Sequence, residues 1–207
     1  AGHGGISHVF WNAGHSVYNI EPSFIPQFYD QRWVNYKKIN DVKRYYPECD
    51  ILGVNAYGFA PKVGDLLKEY GWKKPYMITE FGPMGPWEVG DKSAWGAVIE
   101  ESSHEKAKRY LKAYFSATYE FPRFCLGAFP FYWAYKQETT STWFGMFLKQ
   151  GSRLEAVDAM AYGWNGKYPD NRVPEIHSIN STAKLSEVKR NSIHTACIEV
   201  RDHENDP

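Results

Sequence analysis

Alternating strand and helix patterns over residues 50–164 predict an α/β protein with a parallel sheet. The runs at 50–57, 75–80 and 125–133 are almost unbroken apolar sequences, as is typical of strands covered on both faces. The first two runs begin about 25 residues apart, which fits one βα unit of a (β/α)8 barrel, where a unit averages about 30 residues. We therefore expect part of a TIM barrel, about three or four βα units long.

Helical patterns precede and follow these strands. Apolar residues recur at helical spacing over 31–46, where Pro47 ends the pattern, and again over 63–70, where Gly71 follows. Residues 1–30 are rich in Gly, His and Pro and contain one short strand candidate. Each strand of the predicted sheet is thus followed by a segment that can cross back over it.

The longest helix is predicted to begin at the capping-box sequence Ser102-Ser103-His104-Glu105. It extends to about Glu120, and His104 lies in its first turn. Residues 152–164 form the last predicted helix. The charged residues of the long helix are expected to face solvent: Lys106, Lys108, Arg109 and Lys112.

A loop of about 20 residues, 81–101, separates the second strand from the long helix. It carries Trp87 and Trp95 together with several Gly and Pro residues. Loops of this length in a compact domain are usually functional or disordered. The aromatic content favours a binding-site wall.

Composition limits the range of partners. The 207-residue chain has 24 Lys and Arg against 24 Asp and Glu, so nothing indicates nucleic acid or an anionic membrane as a partner. No apolar stretch approaches the roughly 20 residues that a bilayer crossing needs, so membrane insertion is not expected. Aromatic residues make up 17% of the chain. Their flat faces suit stacking on sugars, although core packing accounts for most of them.

No cofactor and no metal site is expected. The three Cys residues are too scattered for a disulfide framework or a zinc site, and the His residues lack metal-ligand spacing. The sequence contains no phosphate-binding glycine loop and no nucleophilic Ser or Cys constellation. The first residues show neither an initiator Met nor a signal peptide, so we expect a mature or internal piece. Asn180-Ser181-Thr182 is a glycosylation sequon if the protein is secreted from a eukaryote, although such triplets also occur by chance. We expect an extracellular or periplasmic protein.

The pattern of the sequence changes near the end of the last predicted helix, and this change indicates a second domain. Residues 1–170 carry the barrel pattern, whereas residues 171–207 begin as a linker. Two alternating runs follow, at 175–179 and 195–200, and predict strands of a solvated sheet. Because two strands do not form a stable module alone, the sequence is expected to end inside this β domain.

Three motifs stand at the ends of the predicted strands: Gly53-Val54-Asn55-Ala56-Tyr57-Gly58, Ile78-Thr79-Glu80-Phe81-Gly82 and Phe131-Tyr132-Trp133. Their order and spacing resemble the C-terminal part of the barrel of retaining glycoside hydrolases, in the clan that includes the family 2 enzymes. The resemblance covers just over half of the chain. The stretch 137–145 is similar to a signature of a bacterial branch of family 2-like barrels, whose chains continue into an immunoglobulin-like domain. The tail of the sequence is similar to the first strands of such a domain.

The resemblance implies roles for individual residues. In that clan the sixth strand brings an aromatic hydroxyl, the seventh ends in the glutamate nucleophile, and the eighth brings a Trp that forms the floor of a sugar subsite. By this resemblance Glu80 is the nucleophile and Tyr57 its neighbour, while Asn55 is a polar subsite group and Trp133 the sugar platform. Further substrate contacts are expected from three residues: Trp87, Glu138 and Trp143.

The second carboxyl group of the mechanism is missing from these motifs. Retaining hydrolysis needs two carboxyl groups about 5–5.5 Å apart, a nucleophile and an acid/base. The clan's acid/base follows an Asn at the end of the fourth strand, and Asn19-Ile20-Glu21-Pro22 lacks the required strand and spacing. Glu138 is expected to stabilise its loop or bind substrate rather than serve as acid/base. A barrel of roughly 250 residues does not fit here, so the acid/base is expected upstream, in a missing barrel half.

The predicted function is hydrolysis of a β-linked oligo- or polysaccharide by a site that is incomplete in this chain. One alternative is a non-catalytic carbohydrate-binding or structural protein that has kept the aromatic cleft. Another is a subunit of an extracellular assembly, in which the missing barrel half or another chain pairs at open sheet edges. A second carboxylate facing Glu80 distinguishes the enzyme from the binding protein.

Overall fold

The computed structural model of the chain describes residues 8–11, 36–184 and 186–204. The chain divides into two compact units, of which the first runs to Gly82 and also includes Lys112–Pro130, and the second contains the remainder. The elements follow one another in this order: β1 (His8–Trp11), α1 (Tyr36–Tyr45), β2 (Ile51–Asn55), a 3-10 helix (Ala60–Lys62), α2 (Val63–Glu69), β3 (Tyr76–Phe81), α3 (Ser103–Thr118), β4 (Cys125–Pro130), α4 (Glu155–Asn165), β5 (Glu175–Ser181) and β6 (Ala196–Arg201).

Four parallel strands form the sheet of the first unit, in the order β1-β2-β3-β4. Val54 pairs with Ile78, and Ile78 pairs with Ala128. Val54 and Ile78 are fully buried, as expected for strands covered on both faces. The predicted α/β class with a parallel sheet is therefore confirmed. The described strands form an open sheet, and its closure into a (β/α)8 barrel stays a prediction.

Helix α1 confirms the described part of the pattern predicted over 31–46. Ile39 and Val42, three residues apart, are buried, and the helix ends at Tyr45, shortly before Pro47. Positions 31–35 lie outside the described residues.

Gly71 ends helix α2 as the sequence predicts. The Trp72 amide donates to the Leu67 carbonyl at 2.8 Å, and the Gly71 amide donates to the Lys68 carbonyl at 3.0 Å. Gly71 itself has a φ of 68°, in the left-handed region that side chains disfavour. This hydrogen-bond pattern is the Schellman motif, which satisfies the last carbonyls of the helix.

Strand β4 is shorter than predicted. It ends at Pro130 rather than at Trp133. The Tyr132 amide donates to the Phe144 carbonyl at 2.8 Å, and the Met146 amide donates to the Tyr132 carbonyl at 3.1 Å. The backbone after Pro130 therefore pairs with the segment around Phe144, within the second unit.

In the described sheet, β4 has a strand partner on one side only. Two of its apolar side chains are largely exposed: Leu126 at 54% and Phe129 at 52%. This edge strand of the described sheet thus carries two solvent-exposed apolar side chains.

Helix α3 begins where the capping-box sequence predicts. The Glu105 amide donates to the Ser102 hydroxyl at 3.2 Å, so Ser102 caps the amino terminus of the helix. The Glu105 carboxylate contacts Lys108 at 2.9 Å. The second unit, in which α3 begins, has a core that includes these fully buried side chains: Tyr110, Trp143, Phe144, Met146 and Met160.

Strands β5 and β6 form a two-stranded antiparallel sheet in which Ile176 pairs with Val200. These two strands confirm the runs predicted at 175–179 and 195–200. Every residue of β6 is exposed. The immunoglobulin-like character of this segment and the domain boundary at residue 171 stay predictions. Among the described helices, none combines the length and the apolar character that a membrane crossing requires.

Replacing Gly71 by Ala is expected to lower the free energy of unfolding by about 1 kcal/mol, because a Cβ is strained at a positive φ. Gly90 is the matched control, since a Cβ built there meets no atom within 4 Å and its φ is not positive. Gly90→Ala should change stability by less than about 0.5 kcal/mol. Urea denaturation of both variants measures the difference. Equal losses would contradict a role for Gly71 as the helix cap.

Candidate functional site

Asn55 and Glu80 lie together at the carboxyl ends of neighbouring parallel strands. Asn55 is the last residue of β2 and pairs with Glu80 of β3, after a register shift between Val54 and Asn55. The Ala56 amide donates to the Glu80 carbonyl at 2.8 Å, which extends the pairing by one residue. Ligand sites of parallel α/β sheets form at the carboxyl ends of the strands, so this edge is where a site is expected.

The Tyr57 hydroxyl donates a hydrogen bond to Glu80 Oε2 at 2.8 Å. Tyr57 is buried and Glu80 is half-buried, so the carboxylate accepts this hydrogen bond from a group in the protein interior. The Thr79 hydroxyl donates to Asn55 Oδ1 at 2.5 Å, which orients the Asn55 amide. The structure thus brings together three residues that the sequence assigns to the site: Asn55, Tyr57 and Glu80.

Trp133 belongs to the second unit and is 47% exposed. The centroid of its ring lies 5.3 Å from that of Phe147, at an interplanar angle of 80°, and 5.3 Å from that of Trp164. Trp164 is also exposed. Its aromatic neighbours orient the Trp133 ring while leaving half of its surface accessible, as a sugar platform requires.

The Trp residues of the loop and of the following segment differ in exposure. Trp87 is partly buried against Gly85, where a Cβ would come within 2.3 Å of the indole ring. Trp95 is largely exposed. Trp143 is only 2% exposed, and its indole N–H donates to the Met84 carbonyl at 2.9 Å. A ring without an accessible face cannot stack on a sugar, so Trp143 is a core residue rather than the substrate contact expected from the sequence.

Glu138 contacts groups of its own loop. Its Oε2 atom lies 2.7 Å from Lys136 Nζ, and the backbones of Glu138 and Thr140 exchange two hydrogen bonds. Lys136 Nζ also lies 4.6 Å from the centre of the Phe131 ring. These contacts favour the loop-stabilising alternative for Glu138.

Lys106 is buried, which corrects the prediction that it faces solvent. It is 6% exposed, and its ammonium donates to Glu100 Oε1 and to the Thr142 carbonyl, both at 2.5 Å. Glu100 also accepts from the hydroxyls of Thr140 and Thr142, at 2.5 and 2.8 Å. Burial lowers the pKa of Lys106, and the negative charge of Glu100 opposes this shift.

The helical periodicity of α3 contains a signal for this burial. Lys106 lies four residues before Tyr110, which is buried, and seven residues before Ala113, which is buried too. These positions share one face of a helix. The lysine therefore occupies a core-facing position, and the Thr-rich loop supplies the oxygen atoms that its ammonium needs.

A second polar network joins α3, α4 and the β5–β6 pair, and spacing in the sequence does not reveal it. His104 Nδ1 lies 2.7 Å from Glu155 Oε1, while His177 Nε2 and His203 Nε2 lie 3.2 and 2.7 Å from oxygens of Glu175. We refer to these five residues, His104, Glu155, Glu175, His177 and His203, as the histidine cluster. Its residues could hold a metal ion, because ligand atoms of His104, Glu175 and His177 lie within 4.8 Å of one another.

Burial and charge act in opposite directions on the two carboxylates of the histidine cluster. Burial raises the pKa of Glu155, although the hydrogen bond and charge of His104 oppose it. Burial also acts to raise the pKa of Glu175, but its contact with His203 and the charges of His104 and Arg172 lower that pKa overall. Glu175 is therefore held as a carboxylate by several cationic or donor groups.

A cavity of about 360 Å³ lies at the opposite end of the sheet from Glu80. It is lined mainly by apolar and aromatic side chains, including those of Leu67, Trp72, Tyr76 and Phe121. Tyr76 is the first residue of β3, so the cavity is at the amino-terminal ends of the strands. Catalytic groups of parallel α/β sheets lie at the carboxyl ends of the strands, so we do not assign a catalytic role to this cavity.

No family model matches the chain, and no curated protein matches it. Among solved structures, the chain is similar to a beta-glucuronidase from Ruminococcus gnavus, with 18% sequence identity and a TM-score of 0.41. The similarity covers 59% of this chain and 23% of that glucuronidase. The chain therefore matches less than a quarter of the length of the solved protein.

Replacing Glu100 by Gln is expected to lower the free energy of unfolding by about 3 kcal/mol, because it leaves a buried ammonium without its counter-charge. Glu105→Gln is the matched control, since Glu105 pairs with Lys108 on the exposed side of α3, the helix that carries Lys106. The control should cost less than about 0.5 kcal/mol. Chemical denaturation of the two variants gives both values, and a Glu100→Gln loss no larger than the control would rule out a stabilising Glu100–Lys106 pair.

Proposed function

We propose that Glu80 is the nucleophile of a retaining glycoside hydrolase site that acts on β-linked glycans. The observation that carries this proposal is the 2.8 Å hydrogen bond from the Tyr57 hydroxyl to Glu80. The two residues lie 23 positions apart in two of the motifs that resemble the glycoside hydrolase clan. Their position at the carboxyl ends of parallel strands, beside Asn55, supports the proposal further.

In the proposed reaction, the Glu80 carboxylate attacks the anomeric carbon of the sugar. A glycosyl–enzyme ester forms as the bond from that carbon to the leaving oxygen breaks, and an acid donates a proton to this oxygen. The acid, now deprotonated, then acts as a base. It takes a proton from a water molecule, which attacks the anomeric carbon and cleaves the ester. Tyr57 acts on this sequence by fixing the direction of the Glu80 carboxylate.

The acid/base group is proposed to come from outside the 207 residues. Glu138, the candidate in the loop after β4, is engaged by Lys136 at 2.7 Å. In the loop that carries Glu138, the hydroxyls of Thr140 and Thr142 also donate hydrogen bonds to Glu100. These contacts suit a structural residue better than a group that must gain and lose a proton during turnover. We accordingly expect the chain alone not to hydrolyse an aryl β-glycoside.

Covalent labelling tests the nucleophile without requiring the acid. In 2-deoxy-2-fluoro-β-glycosyl fluorides the fluoride leaves without protonation, and the 2-fluoro group slows hydrolysis of the ester. We expect a panel with gluco, galacto, manno and glucuronyl configurations to yield one reagent that adds a single glycosyl unit to Glu80, detected by peptide mass spectrometry. Glu80→Gln should abolish the adduct, and Tyr57→Phe should slow its formation at least tenfold.

The matched control is Glu69→Gln on the exposed side of α2, which should label at the normal rate. Labelling of another residue, or no labelling by any reagent of the panel, would count against Glu80 as nucleophile. Turnover of an aryl β-glycoside by the chain alone, abolished by Glu80→Gln, would support the nucleophile and refute the external acid/base.

A second candidate function is carbohydrate binding without turnover. The observation that favours it is the pair of exposed indole rings in the second unit, Trp133 and Trp164, with centroids 5.3 Å apart. Adjacent exposed aromatic rings form a surface on which sugar rings stack.

Under this second candidate, Trp133→Ala should weaken binding of a β-linked oligosaccharide about tenfold, a loss of about 1.4 kcal/mol. Phe129→Ala, which removes a similarly exposed ring from the first unit, is the control and should leave affinity unchanged. Isothermal titration with cello-, manno- and galacto-oligosaccharides measures both variants. Retained affinity in Trp133→Ala would exclude this ring as the platform.

A further inference from the structure

We propose that the histidine cluster is a binding site for a divalent transition-metal cation of the zinc class. The site lies wholly in the second unit and is independent of the function proposed for Glu80. Three of its residues, His104, Glu175 and His177, bring one ligand atom each within 4.8 Å of the others. Glu155, on the next helix, contacts His104 and supplies a fourth candidate ligand.

The distances are close to those of a tetrahedral zinc site. Ligand atoms about 2.1 Å from a tetrahedral zinc ion lie roughly 3.4 Å from one another. His177 Nε2 is 3.2 Å from Glu175 Oε2, and His104 Nδ1 is 4.0 Å from the same oxygen. The rings of His104 and His177 are also close, with centroids 4.6 Å apart. Both distances from Glu175 Oε2 are therefore within about 0.6 Å of the tetrahedral value.

Glu175 is oriented as a metal ligand would be. Its Oε1 atom accepts from the Arg172 guanidinium at 2.9 Å and contacts His203 Nε2 at 2.7 Å. Its Oε2 atom faces the two imidazoles of His104 and His177. Donors that hold one carboxylate oxygen while the other points to ligand nitrogens are the usual outer shell of a metal site.

Glu155 provides an independent reason to expect a cation at this site. Its side chain is only 7% exposed, and its Oε1 atom lies 2.7 Å from His104 Nδ1. Its Oε2 atom is buried and has no hydrogen-bond partner among the residues that the structure describes. Leaving a buried carboxylate oxygen unsatisfied is costly, and a cation bound to the Glu155 carboxylate would satisfy it.

The donor set selects the class of metal. Two imidazole nitrogens and two carboxylate oxygens suit zinc and its neighbours, whereas calcium and magnesium prefer oxygen ligands alone. Two carboxylates also balance the double positive charge of the ion. Glu175 and His177 lie two positions apart on β5, where the pairing with β6 shifts register, while His104 and Glu155 lie in the first turns of α3 and α4. A bound ion would tie these three elements together.

Zinc titration of the full 207-residue chain tests the proposal. The chain should carry no affinity tag, a Cys197→Ser replacement should remove the exposed thiol, and chelator treatment should precede isothermal titration with ZnCl₂. We expect one site per chain with a micromolar or tighter Kd. Excess zinc should raise Tm by several degrees, and Co²⁺ should give the visible absorption of a tetrahedral site.

His177→Asn should weaken zinc binding at least tenfold, and because the His177 side chain is 34% exposed the variant should fold. Glu155→Gln keeps the shape of the buried side chain and should also weaken binding. His194→Asn is the control, since this exposed residue contacts Thr182 and Ser192 instead. A Kd weaker than about 1 mM, affinity unchanged in both cluster variants, or equal losses in the control would each overturn the proposal.

Discussion

The parallel pairing of β2 with β3 is the constraint on which the candidate site depends. Because Asn55 pairs with Glu80, the ends of the two strands coincide, and the residues that follow β2 pass beside the Glu80 carboxylate. Tyr57 is two positions beyond that end and meets Glu80 Oε2 at 2.8 Å. The register shift before Asn55 contributes to this contact, since a bulge changes the direction of the side chains that follow it.

In the second unit, a network of polar groups locates the loop after Trp133. The Thr-rich loop after Trp133 has no regular structure to hold it, yet its hydroxyls and a carbonyl converge on Glu100 and Lys106. A buried ammonium must be surrounded by acceptors, so the position of Lys106 determines where this loop can run. Side-chain chemistry in the first turn of α3 thereby fixes the backbone of a segment more than thirty residues away.

The sequence predicts those parts of the fold that local patterns encode. The apolar runs identify β2, β3 and β4, and the terminal signals at Gly71 and Ser102 place the ends of two helices. Contacts between distant segments are not encoded in this way. His104 and Glu155 are 51 residues apart, so no spacing rule joins them, although Glu175 and His177 lie only two positions apart on β5.

Trp143 illustrates a further limit of sequence reasoning. A Trp beside Gly and Phe residues suits a sugar-binding rim and a core equally well, because both environments favour large flat rings. Only the packed structure separates them, through the hydrogen bond from its indole to the Met84 carbonyl and the loss of any accessible face. The same reasoning applies to Lys106, whose charge suggested a solvent-exposed position although its place in the helical pattern indicated a core position.

The position of β4 at the edge of the described sheet has a consequence for how this chain behaves in solution. Leu126 and Phe129 lie on a strand that has no second strand partner among the described residues, and an unpaired strand edge accepts a second chain readily. With 24 cationic and 24 anionic side chains, the molecule has almost no net charge to repel its own copies near neutral pH. We therefore expect self-association of the protein to depend on its concentration and on whether another segment pairs with β4. It should depend much less on ionic strength.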